Sequence, residues 1–271
     1  MPNKIIFLSP ILKEYIWGNE RWLFSSEHKE LDRVPFLIKE IESREALSIQ
    51  VHPPDDYALK EEGSSGKTEM WYILDCQPDS WLYYGLKHSV SPEEIYKRSE
   101  NGTLPEICRK VPVNKGEVFF IPAGTIHAIG PGIRLLEVQQ NSALTYRIYD
   151  YNRKTTDDQP RQLHTGKAVE VSHPLPVFFG HEPITAQIEE EGCIRTLLSQ
   201  CSYFRVILYE VEQKLTFSHE PPLALVILKG EGKLYGDGLV LILQAGQTLA
   251  LPSDFEQCCI TGKMTLVAVY P

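Results

Sequence analysis

The chain has 271 residues, of which 42% are apolar and 23% charged, and its formal net charge is −9. It is long enough for one large domain or two of ordinary size, with the balance of a soluble globular protein. Scattered Lys and Arg under a net negative charge argue against nucleic acid, which demands a basic face, and no run of about 18 apolar residues is present to span a membrane. The opening MPNKIIFLSP has too short an apolar stretch for a signal peptide and reads as a first strand. Six cysteines (Cys76, Cys108, Cys193, Cys201, Cys258 and Cys259) form no C-x-x-C pair and read as reduced, mostly buried side chains. Together these features point to a cytoplasmic protein.

In chain order, residues 1–24 give a short strand and an element in which Trp17 and Trp22 pack a barrel edge. Residues 34–42 and 46–51 read as strands. In LSIQVHP the alternation is strict: Leu47, Ile49 and Val51 point one way, Ser48, Gln50 and His52 the other. Pro53, Pro54, Asp55 and Asp56 stop that strand and start a short helix that ends near Gly63. In GKTEMWYI, Glu69, Trp71 and Ile73 share a face, so the Glu69 carboxylate keeps apolar company. Residues 70–74 and 81–84 are expected to form a hairpin around Gln77, Pro78 and Asp79. Ser91, Pro92 and Glu94 give a helix start, with Ser91 as N-cap and Glu94 as the returning arm of a capping box; that helix ends near Asn101 and Gly102.

The stretch GEVFFIPAGTIH, residues 116–127, reads as a strand that meets Pro122 and Gly124 and turns before His127. By itself His127 suits a hydrogen-bonded turn residue as well as a ligand. Residues 135–139 and 145–149 alternate as strands, 154–161 are loop, and 167–171 fit a short helix or strand. A boundary is expected within 171–180, separating a metal-binding unit over 1–172 from a metal-free one over 173–271. Residues 225–236 read as a hairpin, and Gly246 to Pro252 repeats the Gly, five residues, Pro spacing of Gly116 to Pro122. No histidine follows that echo, so a second, metal-free barrel is expected.

Gln50, His52, Glu69 and His127 offer one amide oxygen, one carboxylate and two imidazoles. A buried carboxylate is costly unless paired or coordinated, and this mixed N/O set suits a divalent metal with open positions, zinc first. Such a centre fits redox chemistry, hydrolysis, carbonyl polarisation or sensing alike. Lys67, two residues before Glu69, and Glu137 and Arg147, on the two strands beyond His127, are further candidates; read in isolation, they are solvated strand ends and an Arg partner.

The spacing from Gly116 through Pro122 and Gly124 to His127 matches the second motif of the cupin superfamily. More narrowly, LSIQVHP, GKTEMWYI, IPAGTIHAIG and QQNSALTYRIYDYNR resemble the type I mannose-6-phosphate isomerases in their short bacterial form. The likeness is strong from about Phe36 to Arg153 and departs from the family between Phe24 and Val34, where a short polar connection replaces several tens of residues. The resemblance implies an all-β fold of two cupin-type jelly-roll β-barrels with a few short helices. It also implies one Zn2+ per chain on Gln50, His52, Glu69 and His127, with Lys67, Glu137 and Arg147 around the substrate. The implied activity is aldose–ketose isomerisation of mannose 6-phosphate and fructose 6-phosphate through an enediol. Arg147, Lys67 and Glu137 would be catalytic, and Ser48, Lys67 and Arg147 would contact the sugar phosphate. The implied partner is that small molecule alone, in a monomer or homodimer. The alternatives are a related sugar-phosphate isomerase and a non-catalytic sugar-binding cupin.

Overall fold

Alternating apolar and polar residues carry most of the chain into strands. The computed structural model describes residues 4–154, 158–176, 187–218, 222–236, 238–252 and 257–271. In chain order the first strands are β1 (Ile6–Leu8), β2 (Ile11–Tyr15), β3 (Gly18–Phe24), β4 (Phe36–Ser43), β5 (Ile49–Val51) and β6 (Glu69–Cys76). β7 (Trp81–Leu86), β8 (Cys108–Pro112), β9 (Val118–Ile121), β10 (His127–Ile129), β11 (Ile133–Gln140) and β12 (Tyr146–Tyr149) follow. Later come β13 (Gln187–Glu190), β14 (Cys193–Gln200), β15 (Arg205–Val211), β16 (Lys214–Ser218), β17 (Ala224–Gly236), β18 (Leu239–Gln244), β19 (Thr248–Ala250) and β20 (Gln257–Tyr270). The helices are α1 (Asp55–Glu62), α2 (Pro92–Glu100) and α3 (Thr165–Val171), and none among the described residues is long and apolar enough to cross a membrane.

The chain forms two compact units. One comprises residues 14–20 and 41–181, the other residues 1–13, 21–40 and 182–271. β1 thus groups with the later part of the chain, pairing antiparallel with β19 through Ile6 opposite Ala250 and Leu8 opposite Thr248. Residues 177–186, which hold part of the expected boundary, lie outside the described residues, as does the stretch 253–256 just after Pro252.

In the first unit, β12-β5-β10-β7-β8 form one sheet, and the run β11-β6-β9 belongs to another. Trp71 and Ile73 of β6, Tyr84 of β7, Phe119 of β9 and Leu135 of β11 form an inner cluster of fully buried side chains. A second cluster sets Ile49 and Val51 of β5 and Ile148 of β12 against Ile95 of α2 and Ala168 and Val171 of α3. β5 is therefore covered on its apolar face by helices. Leu47 leaves the expected alternation: β5 begins only at Ile49, and Leu47 joins the inner cluster instead.

Local chemistry sets the helix ends. α1 carries Asp55 and Asp56 in its first turn and closes on Gly63 at φ 62°, in the left-handed region glycine adopts readily. At α2 the Ser91 hydroxyl accepts the Glu94 N–H at 3.2 Å. The returning arm of the expected capping box is not formed, because Glu94 Oε1 accepts from Arg98 Nε at 2.8 Å. The expected hairpin of residues 70–84 is also absent: β6 pairs with β9 and β11, while β7 pairs with β8 and β10. The turn around Pro78 carries the chain from one sheet to the other, a choice of partner that local periodicity does not encode.

In the second unit the sheet order is β1-β19-β17-β20-β15-β14-β13, with β16 on β20 and β18 on β17. The residues expected to form a hairpin within 225–236 are one long strand, β17, which shifts register between Ile227 and Lys229. Gly230, at φ 80°, belongs to this irregularity, where a Cβ would stand 2.1 Å from the Lys263 carbonyl oxygen. The internal echo has a backbone counterpart: Gly116 and Gly246 adopt φ of 88° and 87°. The short connection after β3 is pinned by buried His28, whose ring nitrogens face the carbonyl oxygens of Ser25 and Ser9, each at 3.1 Å.

Gly130 follows β10 where a Cβ would lie 2.1 Å from the Trp81 carbonyl oxygen. Gly130→Ala is expected to destabilise the protein by about 1–3 kcal/mol, the usual range for overpacking, and thermal unfolding should show a midpoint lowered by several degrees. An unchanged midpoint would show that β7 and β10 can separate there without loss.

Candidate metal centre

Register brings the candidate residues together. His127 stands opposite Gln50 on β5, and Gln50 opposite Arg147 on β12. Directly opposed residues share a face, so these three side chains form one row across the sheet. On the other sheet Glu69 stands opposite Gln139 of β11 and Ile121 of β9. His52 follows β5, its carbonyl oxygen accepting the Gly124 N–H at 2.8 Å, so the Pro-Ala-Gly turn is fastened to the residue beside the ligand strand.

His52, Glu69 and His127 are buried, and one ligand atom from each lies within 4.8 Å of the others. His127 Nε2 is 3.4 Å from Glu69 Oε1, and His52 Nε2 is 3.6 Å from Glu69 Oε2. Those separations are close to the roughly 3.4 Å edge of a tetrahedron with zinc-ligand bonds of about 2.1 Å. The far nitrogen of each ring is already committed: His52 Nδ1–H donates to the Leu144 carbonyl and His127 Nδ1–H to that of Thr125, both at 2.8 Å. This fixes the tautomer that turns each Nε2 lone pair toward Glu69. His52 Nε2 and Glu69 Oε1 are buried without a hydrogen-bond partner, and Glu69 Oε2 faces the Lys67 ammonium at 2.8 Å, so the cluster still has buried acceptors turned toward one point, as a cation position requires. Gln50 adds its amide, with Nε2 3.4 Å from His127 Nε2; turning the amide over would direct Oε1 to the same place.

The electrostatics agree with this geometry. Burial, then the Lys67 charge, pushes His52 down from 6.5 to about 4, and burial also lowers His127. For Glu69, burial pushes the carboxyl up, but Lys67 and the two histidines outweigh it and hold the group well below its ordinary range. Both imidazoles are thus neutral and the carboxyl ionised near neutral pH, the states that bind a cation.

Lys67 precedes β6, yet its Nζ lies 2.8 Å from Glu69 Oε2 and 3.8 Å from Glu137 Oε1. Glu137 Oε2 accepts from Trp71 Nε1 at 3.0 Å, so the carboxylate is oriented. Arg147 stands apart from this pair: its Nε donates to Ser48 Oγ at 3.3 Å and Nη1 to the Gln162 carbonyl at 2.9 Å. Ser48 and Arg147 therefore form a second polar group beside Gln50. Sequence reasoning missed His164, whose Nδ1 accepts the Arg147 N–H at 3.2 Å, and Gln139, fully buried opposite Glu69. The signal for Gln139 was present in the alternation of Glu137 and Gln139, both inward-facing. His164 sits in a polar stretch with no periodicity to mark it.

Comparison with known proteins supports one family. The model of the mannose-6-phosphate isomerase cupin domain matches residues 194–271. The mannose-6-phosphate isomerase ManA of Bacillus subtilis is 38% identical over 249 residues, 91% of this chain and 78% of the relative. The crystal structure of the mannose 6-phosphate isomerase from Bacillus subtilis superposes with a TM-score of 0.88 at 29% identity, covering 99% of this chain and 100% of that one. A zinc-bound mannose 6-phosphate isomerase shares the fold, with a TM-score of 0.74 at 16% identity over 98% of this chain and 99% of that one. With sequence similarity along nine-tenths of its length and a fold to match, the chain belongs to the type I mannose-6-phosphate isomerases of the cupin superfamily.

Proposed function

We propose that this protein interconverts mannose 6-phosphate and fructose 6-phosphate, moving a proton between C2 and C1 through an enediol, with one zinc ion held by Gln50, His52, Glu69 and His127. The observation that carries this reading is the buried cluster of His52, Glu69 and His127, with His52 Nε2 and Glu69 Oε1 still lacking a partner beside the Lys67 cation, in a chain of this family. When bound, the ion supplies a Lewis-acid charge for the sugar oxygens. Lys67 is the acid/base candidate: its buried ammonium lies between the Glu69 and Glu137 carboxylates, beside the ion. Glu137 holds that ammonium in place and is itself fixed by the Trp71 indole. Arg147 presents a permanent positive charge toward the developing enediolate, and Ser48 orients it and contacts the phosphate. The C-terminal unit is read as a metal-free barrel. The six cysteines are free thiols, which supports a reducing, cytoplasmic setting.

A coupled assay tests the reading directly: chelation should abolish conversion of mannose 6-phosphate, added zinc should restore it, and metal analysis should give about one ion per chain. A folded, zinc-loaded protein without turnover would refute the activity. Lys67→Ala should lower kcat by about 10²–10⁴-fold, the usual range for a lost acid/base group, while zinc content stays near one per chain. Loss of zinc in that variant would instead make Lys67 a support of Glu69 alone.

The metal-free protein should also weaken in acid. Between pH 6.5 and about 4 the unfolded chain binds a proton that native His52 refuses, so stability falls as pH drops through that window. Glu69 acts in the same direction lower down, because its depressed native pKa gives stability that is lost once unfolded carboxyls protonate below about 4.5. Melting of the chelated protein at pH 7.5 and pH 5 should give a lower midpoint at pH 5; a flat profile would mean that the imidazoles gain water or partners when the ion leaves.

A further inference from the structure

Among the described residues β12 ends its sheet, with β5 on one side and no strand on the other. At Arg147 that open edge is closed by a single residue. The Arg147 carbonyl oxygen accepts the His164 N–H at 2.8 Å, and the Arg147 N–H donates to His164 Nδ1 at 3.2 Å. The imidazole thus takes the place that a neighbouring peptide carbonyl would fill in a longer sheet. In an antiparallel ladder the N–H and C=O of one residue point the same way, so Arg147 and Gln50 form a non-hydrogen-bonded pair, the kind whose side chains stand closest. The same segment also takes the guanidinium: Nη1 donates to the Gln162 carbonyl at 2.9 Å, while Nε donates to Ser48 Oγ at 3.3 Å.

One residue can hold a strand edge only if it is itself fixed. His164 stands at the start of α3, and the Ala168 N–H reaches back to its carbonyl oxygen at 2.9 Å. Ala168 and Val171 bury the apolar side of α3 against Ile49, Val51 and Ile148. On its polar side, Lys167 Nζ donates to Glu62 Oε1 and the Tyr57 hydroxyl donates to Glu170, at 2.7 and 2.6 Å, so α3 is fastened to α1 twice. The Tyr146 hydroxyl joins the same Glu62 oxygen at 2.7 Å, and its ring centre is 6.1 Å from that of His164. The helix layer behind the sheet is therefore carried around its edge to Arg147, which shares the row of Gln50 and His127. Burial and the Arg147 charge lower the His164 pKa, which keeps the ring neutral and Nδ1 an acceptor near neutral pH.

We propose that His164 is a positioning residue for the isomerisation, on the reading above that Arg147 presents its charge to the developing enediolate. His164 acts through Arg147: it fixes the main chain at both peptide groups and so sets the base from which the guanidinium reaches. Arginine is a long side chain with much rotamer freedom, and a fixed base with Gln162 and Ser48 at its far end removes the states in which the charge points elsewhere. A group that stabilises charge has its full effect only when it is held in place before the charge forms.

Steady-state kinetics of the zinc-loaded full chain with mannose 6-phosphate test it in His164→Ala, His164→Asn, Arg147→Ala and the Arg147→Ala, His164→Ala double variant. The Asn amide oxygen stands two bonds from Cβ, as Nδ1 does, and can accept the Arg147 N–H. His164→Ala should lower kcat by about 10–100-fold, the cost of a misplaced group, with KM within about threefold of the parent. His164→Asn should keep kcat within about threefold, and the double variant should be no slower than Arg147→Ala. Hydrogen exchange at the Arg147 amide reads the contact without turnover: it should quicken by at least about tenfold in His164→Ala and stay slow in His164→Asn. Full turnover in His164→Ala, equal losses in the Ala and Asn variants, or losses that add in the double variant would overturn the proposal. Full turnover in Arg147→Ala would withdraw the role of Arg147 and the proposal with it, a result distinct from an impaired Arg147→Ala beside an unimpaired His164→Ala.

Discussion

The metal unit depends on one constraint: Glu69 is a carboxylate with no access to water. An isolated buried charge of that kind is untenable, and the surrounding strands answer it from three sides. Lys67 supplies a cation from the approach to β6, and the two imidazoles point lone pairs at the carboxylate because their N–H groups are turned to backbone carbonyls. Those carbonyls belong to Leu144 and Thr125, in the loops before β12 and β10. The site is therefore built by main chain as much as by side chains: the loops fix which nitrogen is free, and the register of β10 on β5 fixes where it sits.

Much of this was legible in the sequence. The Gly-Pro-Gly turn before His127, the Gln-x-His that begins on β5 and ends just after it, and a glutamate among inward apolar residues of β6 each carry their position in a local pattern. The partners of the strands do not. Residues 70–74 and 81–84 look like a hairpin because a Pro-Asp turn joins two apolar runs, yet they go to different sheets. Leu47 fits the alternation on paper but lies before the strand begins. The Gly-rich run of β17 reads as a turn and is instead an irregularity in a continuous strand. In each case sheet pairing, a long-range choice, overrides a short-range signal.

Outside the ligands, the block after β12 has a mechanical role of its own. Buried Asp150 is gripped by Arg153 and Arg161, the latter at 3.0 Å, and Arg153 reaches the Ala46 carbonyl at 2.7 Å. Tyr151 and Asn152 adopt left-handed backbone angles between these anchors. A turn in that conformation needs such fastening, since non-glycine residues disfavour it. The fastening holds Arg153 next to the start of the strand that carries Gln50, and Arg161 next to the Gln162 carbonyl that Arg147 uses.

The sheet of the C-terminal unit draws on distant parts of the chain. β1, at residues 6–8, pairs with β19, and β20, at residues 257–270, lies at the centre between β15 and β17. The unit that holds the metal centre comprises residues 14–20 and 41–181. On the ribosome, which delivers about 5–20 residues each second, the two units therefore face different waits. The ligand-bearing strands can close as soon as they emerge. β1, by contrast, must remain unpaired until more than two hundred further residues have been made, an exposed edge that the growing chain has to keep from joining the wrong neighbour.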